Sequence, residues 1–376
     1  MTARADPVII IGGGQSGLAA ARAALAVGLR PVVLHAGDSP AGSWPDYYDS
    51  LTLFSPARYS VMPGMALDVD PDHYPHRDEV VAYLRRYAGT LDAEIRTGVR
   101  VAEVHPRDGG GYLIRADAGD QIAAAGVVAA SGSFGNPYLP DLPGRGDFTG
   151  DLRHVADYRR PGPYAGKRVI VVGAGNSAVQ VAYELAAHAH VTLATRETVR
   201  FLPQRIGGRD LHHWLRVSGA DRLPRRILTR LIRRAIVLDT GVYHRAITSG
   251  QLARRGMFTA FTPDGVVWGD GAIEPVDAVI FATGYRPDLG YLEPLGALAQ
   301  GMPRQVSGLS TSHQGLAYVG LEFQRSFASN TLRGVSRDAT HVMRALAAHL
   351  SGRRRPPRLA GAPASAPSGS TAGRLR

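Results

Sequence analysis

Apolar positions along this chain fall into two alternating patterns. Short runs rich in β-branched residues, such as VIII from Val8 and VIVV from Val169, read as strands. Each is followed by glycines and then by an Ala/Leu/Val-rich stretch at helical spacing. Residues 7–36 and 167–200 thus each read as strand, helix, strand. DEVVAYLRRYAGT (78–90) reads as a helix opening on acidic residues and ending near Gly89. Between 95 and 130, GVRVAEVH, GYLIRAD and GVVAAS read as short strands around turn-forming Gly and Asp. GSFGNPYLPDLPG (132–144) is dense in Gly and Pro and reads as a linker crossing between domains. Residues 201–262 are mixed and basic. EPVDAVIFATGYRPD (274–288) and GLAYVGL (315–321) are further strands, followed by a glycine loop at Leu332–Ser336 and a helix to about Leu350. These patterns predict an α/β protein of two Rossmann-like dinucleotide-binding domains, the second inserted into the first. The first comprises 1–150 and 286–350, the second 160–285. The tail 351–376 has little apolar content and reads as disordered.

The two glycine turns carry the chemistry. The first is VIIIGGGQSG, with Gly12, Gly14, Gln15, Ser16 and Gly17; the second is VIVVGAGNSA, with Gly173, Gly175, Asn176, Ser177 and Ala178. In such a turn the first glycine bends the chain, the second lets the backbone approach a pyrophosphate, and the third lets the helix pack on the strand. The anion then rests on the unpaired N–H groups of the helix start. The strand after each helix distinguishes the two sites. It ends at His35 in the first unit and at Arg196 in the second, each 23 residues past the leading glycine. That position meets the adenosine ribose: an acidic residue bonds a 2′-hydroxyl, an Arg accommodates a 2′-phosphate. Arg196 therefore marks the second site for NADP(H), the alternative being a surface Arg with no ligand. His35 departs from the Glu or Asp expected for FAD, although it retains hydrogen-bonding capacity and Asp38 lies nearby.

Composition narrows the classes. With 376 residues, 44% hydrophobic and 20% charged, the chain has material for two or three domains. No apolar run is long enough for a transmembrane helix, and Val8–Ile11 is too short for a signal sequence, which places the protein in the cytoplasm with no stable membrane insertion. The net charge of +11 is almost all Arg, Lys167 being the single lysine. The densest cluster, Arg222 to Ile236, fits either an amphipathic helix with a solvated basic face or a membrane-surface or nucleic-acid helix; the first is favoured, so no nucleic-acid partner is expected. There is no cysteine, which excludes a redox-active dithiol, iron–sulfur ligation and thiolate zinc. The 13 histidines show no metal-ligand spacing; His212 and His213 are adjacent and diverge on a helix, so no metal is expected.

Between the turns lies FTGDLRHVADY, with Phe148, Gly150, His154 and Tyr158. It resembles the FxGxxxHxxx(Y/F/W) signature of the class B flavin-containing monooxygenases. FATGY (Phe281–Tyr285) resembles that family's second hallmark, and AGSW (Ala41–Trp44) its GGxW flavin loop. YDSLTLFSPARYS, GRDLHHW and LEFQRSFASNTLRG are similar to small bacterial single-component members, some associated with arsenic operons. The resemblance implies FAD and NADPH as cofactors, and a small-molecule substrate and O2 as partners. It implies hydride transfer to FAD, a C4a-(hydro)peroxyflavin shielded by NADP+, and oxygen transfer to a soft nucleophile at N or S. It implies cofactor contacts from Gly42, Ser43, Trp44, Val101, Thr283 and Gly284 in addition to the two turns. His154 becomes a hinge or orienting candidate. Many members carry an Asn near the flavin where this chain has Leu53, Phe54 and Ser55, so Ser55 is the remaining hydrogen-bonding candidate there. Two alternatives stay open: an NADPH-dependent flavin reductase or oxidase passing electrons to a quinone, a protein or O2, and a non-enzymatic dinucleotide-sensing protein.

Overall fold

The structure is a computed structural model that describes residues 6–223, 227 and 236–352. The first strand–turn–helix unit is β1 (Val8–Ile11), α1 (Gln15–Leu25) and β2 (Pro31–Leu34). Further on come α2 (Arg77–Gly89) and β3 (Gly126–Ala129). β1 lies between β2 and β3, parallel to both, and every residue of the three strands is buried. Glu94–Arg96 continues the parallel order beyond β2, and Leu316–Tyr318 beyond β3. Two short antiparallel strands complete a seven-stranded sheet. Alanines on α1 (Ala20, Ala21, Ala24) let the helix Val335–Leu350 approach closely, and its Val335, Ala339, Val342 and Met343 share the same core. α2 starts in a capping box in which His76 takes the usual Ser/Thr place. Its ring accepts from Asp78 N–H at 3.3 Å, and Glu79 accepts from His76 N–H at 2.7 Å.

The second unit is built the same way. β4 (Asp151–His154), β5 (Arg168–Val172), α3 (Asn176–Leu185), β6 (His190–Thr195), β7 (Ala253–Gly256) and β8 (Ala278–Phe281) follow along the chain. The strands form a parallel sheet in the order β7-β6-β5-β8-β4. One face is covered by α3. The other is covered by an aromatic layer, Phe258, Phe261 and Trp268, contributed in part by a small antiparallel sheet. The segment that reads in sequence only as mixed and basic contains a parallel strand pair, Arg200–Pro203 with Ile236–Asp239, and the helix Leu211–Val217.

The expected α/β class with two dinucleotide-binding units is what the chain adopts. The chain passes between the sheets twice, and the two passages are tied together. Pro137 bridges Tyr285, Tyr138 N–H donates to Gly284 O at 2.9 Å, and Arg286 N–H donates to Asn136 O at 2.9 Å. A further tie is invisible in the periodicity: from a loop of the first unit, Tyr48 sits in the core of the second and Leu51 packs against it. The Tyr48 hydroxyl donates to Gln180 on α3 at 2.6 Å. Of the basic segment 222–236, residues 224–226 and 228–235 lie outside the described residues, as does the tail from 353. No helix among the described residues is long and apolar enough to cross a membrane.

Candidate functional site

Parallel strands gather their C-terminal ends, and both glycine turns open there. At the first, Gly12 has φ +114°, and a Cβ on it would fall 2.4 Å from Ala130 O. A Cβ on Gly17 would lie 1.8 Å from Gly12 O, so the close seating of α1 on β1 demands a glycine. Gly14 faces the flanking loop, where Gly42 (φ +61°) would place a Cβ 2.7 Å from Gly14 Cα. No side chain caps α1 at Gly14, which leaves the first N–H groups of the helix free for an anion. A cavity of about 390 Å³ opens in front of them. Gly12, Gly14, Gln15 and Ser16 line it from the turn; His35, Gly42, Ser43, Trp44 and Val101 line it from its neighbours. Gly17 lies behind the cavity rather than on it, and Asp38 is not on its wall. Gln15 joins two walls: it accepts from Trp44 Nε1–H at 2.6 Å and donates to Asn330 O at 2.9 Å.

His35 directly follows β2, buried on the cavity wall. Gly13 N–H donates to its Nδ1 at 3.3 Å, so the ring hydrogen is assigned to Nε2. That Nε2 is buried with no hydrogen-bond partner among the described residues, the Ser39 backbone lying close enough to act on the ring's charge. Burial lowers the His35 pKa below the ordinary histidine value, which keeps the ring neutral at pH 7. An orphaned donor beside a glycine cradle and an uncapped helix start fits the adenosine end of a dinucleotide, with a ribose hydroxyl as the missing acceptor.

The second turn differs in steric logic. Gly173 (φ +145°) is again forced, its Cβ falling 2.4 Å from Ala282 O. Gly175 is not: its backbone is extended (φ −95°, ψ −177°), and a Cβ there would meet nothing within 4 Å. It is the uncapped N-cap of α3. Ala178 takes the third position and is buried in the sheet–helix core. Asn176 Oδ1 accepts from Leu238 N–H at 3.2 Å, and Ser177 neighbours the buried Tyr48 hydroxyl. Arg196 follows β6 directly, is exposed, and makes no hydrogen bond or ion pair among the described residues. Thr283 and Gly284 leave β8, the neighbour of β5; the Thr283 hydroxyl donates to Tyr138 O on the other crossing passage.

His154 ends β4 at the junction of the units, almost wholly buried, with both ring nitrogens committed to the backbone. Ala156 N–H donates to Nδ1 at 3.1 Å, and Nε2 pairs with Gly284 O at 3.1 Å. Burial holds its pKa below the ordinary histidine value. Its ring stands edge-on to Tyr285, and a row of aromatic contacts runs on through Phe134 and Tyr47 to Trp44 on the cavity wall. Of the other residues of that signature, Phe148 and Gly150 lie at the opposite end of β4, where Phe148 packs against Phe261 in the aromatic layer, and Tyr158 meets the ring of Tyr48 from the first unit. Gly150 leaves room for the Phe148 ring, and the Tyr158 hydroxyl donates to Glu184 at 2.8 Å. Ser55 does not line the cavity; its hydroxyl is 2.7 Å from that of Ser60 in a buried loop.

Several cavity residues escape a reading of motifs. Gly320 (φ +92°) lies where a Cβ would fall 2.0 Å from Ser16 Oγ; it sits inside the apolar run 315–321, and a glycine in a strand run is itself a signal of close approach. Asp288, Tyr291 and Asn330 have no such signal. Burial raises the Asp288 carboxyl above the usual carboxylate range, partly opposed by Arg100.

Comparison with known proteins agrees with this geometry. Residues 9–316 match the family described as pyridine nucleotide-disulphide oxidoreductase. The chain is 32% identical to indole-3-pyruvate monooxygenase YUCCA1 of Oryza sativa subsp. japonica, over 89% of each chain. It is 28% identical to the uncharacterized oxidoreductase CzcO of Bacillus subtilis, over 89% of this chain and 97% of that one. The solved flavin-containing monooxygenase from Stenotrophomonas maltophilia superposes with a TM-score of 0.78 at 34% identity, covering 92% of this chain and 99% of that one.

Proposed function

The chain belongs to the class B flavin-containing monooxygenases, an FAD- and NADPH-using family, and on that premise we propose a specific activity. It uses NADPH and O2 to place one oxygen atom on a small soft nucleophile, at nitrogen or sulfur. At the coarser level it is a flavin-dependent oxidoreductase with a monooxygenase's cofactors and a small-molecule substrate. When bound, FAD supplies hydride acceptance and O2 activation. The observation that carries the proposal is the inequality of the two turns. The first faces a cavity with an orphaned neutral donor, and the second ends beside an exposed guanidinium with no partner among the described residues.

The chain's own residues bind and orient. Gly12, Gly14 and the start of α1 would hold the FAD pyrophosphate, and His35 would stand at its ribose. Gln15, tied to Trp44 and Asn330, fixes the wall between cofactor and junction. Gly175 leaves space for the NADPH pyrophosphate, and Arg196 takes the 2′-phosphate. His154 acts as a positioning residue. Neutral and saturated, it fixes Gly284 O, which also ties the first crossing passage, so that the two cofactor domains meet in one orientation. The row from Trp44 to Tyr285 packs along that seam. With no cysteine in the chain, electrons have no dithiol to enter.

The name of the rice relative supports a second reading, an aromatic 2-oxo acid as the oxygen acceptor. The two are separated by supplying the FAD-loaded protein with NADPH, O2 and in turn a thioether, a tertiary amine and an aromatic 2-oxo acid. The proposal expects one product per NADPH consumed with a thioether or amine and little H2O2. Product from the 2-oxo acid alone establishes the second reading. One H2O2 per NADPH with every compound refutes both in favour of an oxidase.

A further inference from the structure

Where the two units meet, away from both glycine turns, four arginines surround one carboxylate. Arg216 lies near the end of the helix Leu211–Val217, Arg222 follows it, and Arg333 and Arg337 flank the start of the helix Val335–Leu350. Together with Asp221 they line a cavity of about 300 Å³. The lining also includes apolar Val61, Met62 and Pro63, of which Met62 is buried in the core.

Asp221 is buried and already spent: the Arg333 guanidinium grips both its oxygens, at 2.9 and 3.0 Å. A second carboxylate beside Arg337, Asp338, accepts from Arg325 at 3.2 Å. Arg58 also reaches this cavity but pairs with Asp72 at 2.8 Å. The side chains of Arg216, Arg222 and Arg337 are left with no hydrogen bond or ion pair among the described residues. Arg337 is the worst placed of them. It is half-buried in the first turn of a 16-residue helix, where the helix dipole repels a cation. Burial above all, with the charges of Arg222 and Arg333, lowers its pKa below the ordinary guanidinium value against the pull of Asp221 and Asp338. Unpaired like charges gathered at a cavity destabilise the free protein, and a bound anion relieves them.

We propose that this cavity is a binding site for a small organic carboxylate. The carboxylate sits among Arg216, Arg222 and Arg337, and the apolar body lies against Val61–Pro63. Planar guanidinium forks suit a carboxylate, and the apolar lining gives an organic ligand contact that inorganic phosphate cannot use. None of these residues lines the first cavity or belongs to the second turn.

The test is calorimetric titration of the FAD-loaded protein with phenylacetate, phenylacetamide and inorganic phosphate. Phenylacetate should bind one-to-one and the neutral amide should not. Arg337→Ala and Arg216→Ala should each weaken phenylacetate about tenfold or more, the loss expected for a charge-assisted hydrogen bond. Arg216 is exposed, so its variant tests the site even if removal of Arg337 disturbs folding. No binding of phenylacetate, equal binding of acid and amide, phosphate binding more tightly than phenylacetate, or unchanged affinity in both variants would each overturn the proposal.

Discussion

Replacing Gly175 by alanine separates what the second turn does for the fold from what it does for a ligand. Its extended backbone is open to any residue, and the added methyl meets no protein atom within 4 Å. Stability should therefore hardly change. Loss of a good N-cap residue costs a few tenths of a kcal/mol to about 1 kcal/mol, and reduced freedom of the unfolded chain returns about 0.4–1 kcal/mol. The net is within about 0.5 kcal/mol, or a Tm shift of about 1–2 °C. A pyrophosphate drawn onto the N–H groups of α3 would meet that methyl directly. Losing one charge-assisted hydrogen bond costs about 1.5–3 kcal/mol, so KM for NADPH should rise roughly ten- to hundredfold. Gly17→Ala supplies the contrast: its methyl would lie 1.8 Å from Gly12 O, so it should destabilise the protein before any ligand is added. The assay is a thermal melt of each variant together with steady-state NADPH kinetics. A KM unchanged in Gly175→Ala, or a melting temperature lowered as much as in Gly17→Ala, would refute the assignment of Gly175 to ligand binding.

Arg196→Ala should raise KM for NADPH about tenfold while leaving that for NADH nearly unchanged, since the side chain has no partner among the described residues to lose; equal changes with both cofactors would mean that Arg196 does not read the 2′-phosphate. His154→Leu should lower stability by about 1–3 kcal/mol in urea unfolding at pH 7.5, because the buried imidazole's bonds to Gly284 O and Ala156 N–H are lost. The deficit should shrink at pH 5.5. The folded pKa of His154 lies below the usual 6.5, so the unfolded chain takes up the proton first. Wild-type protein therefore loses this contribution as pH falls below 6.5, whereas the leucine variant has nothing to titrate; a deficit that grows on acidification contradicts a neutral, saturated His154.

Elements with their own local signal were legible in the sequence. Both strand–turn–helix units are fixed by adjacent residues, and the steric demands at Gly12, Gly17 and Gly173 are the ones their positions in the turn imply. The acidic opening of α2 was equally local, although its cap is an unexpected His76. What was hidden depends on residues far apart in the chain. The ring contacts of Tyr47, Phe134 and Tyr285 join three segments, and Tyr48 of the first unit seats itself in the core of the second. No periodicity within one segment reports such contacts. The direction of a single side chain was hidden too. His35 looked like a departure from an acidic ribose contact, and only its bond from Gly13 shows that the free nitrogen is a donor. The arginine cavity is the extreme case: it draws on residues near 60, 220 and 335, each an ordinary part of an Arg-rich composition.

The central claim, that electrons entering from NADPH go to oxygen transfer, is tested most directly by stopped-flow spectroscopy. The FAD-loaded protein is reduced anaerobically with NADPH and mixed with O2 while NADP+ remains bound. The account predicts a transient absorbance distinct from both oxidised and reduced flavin, whose decay is accelerated by an oxygen acceptor and accompanied by little H2O2. A direct return to oxidised flavin with one H2O2 per flavin, unaffected by any acceptor, would contradict it.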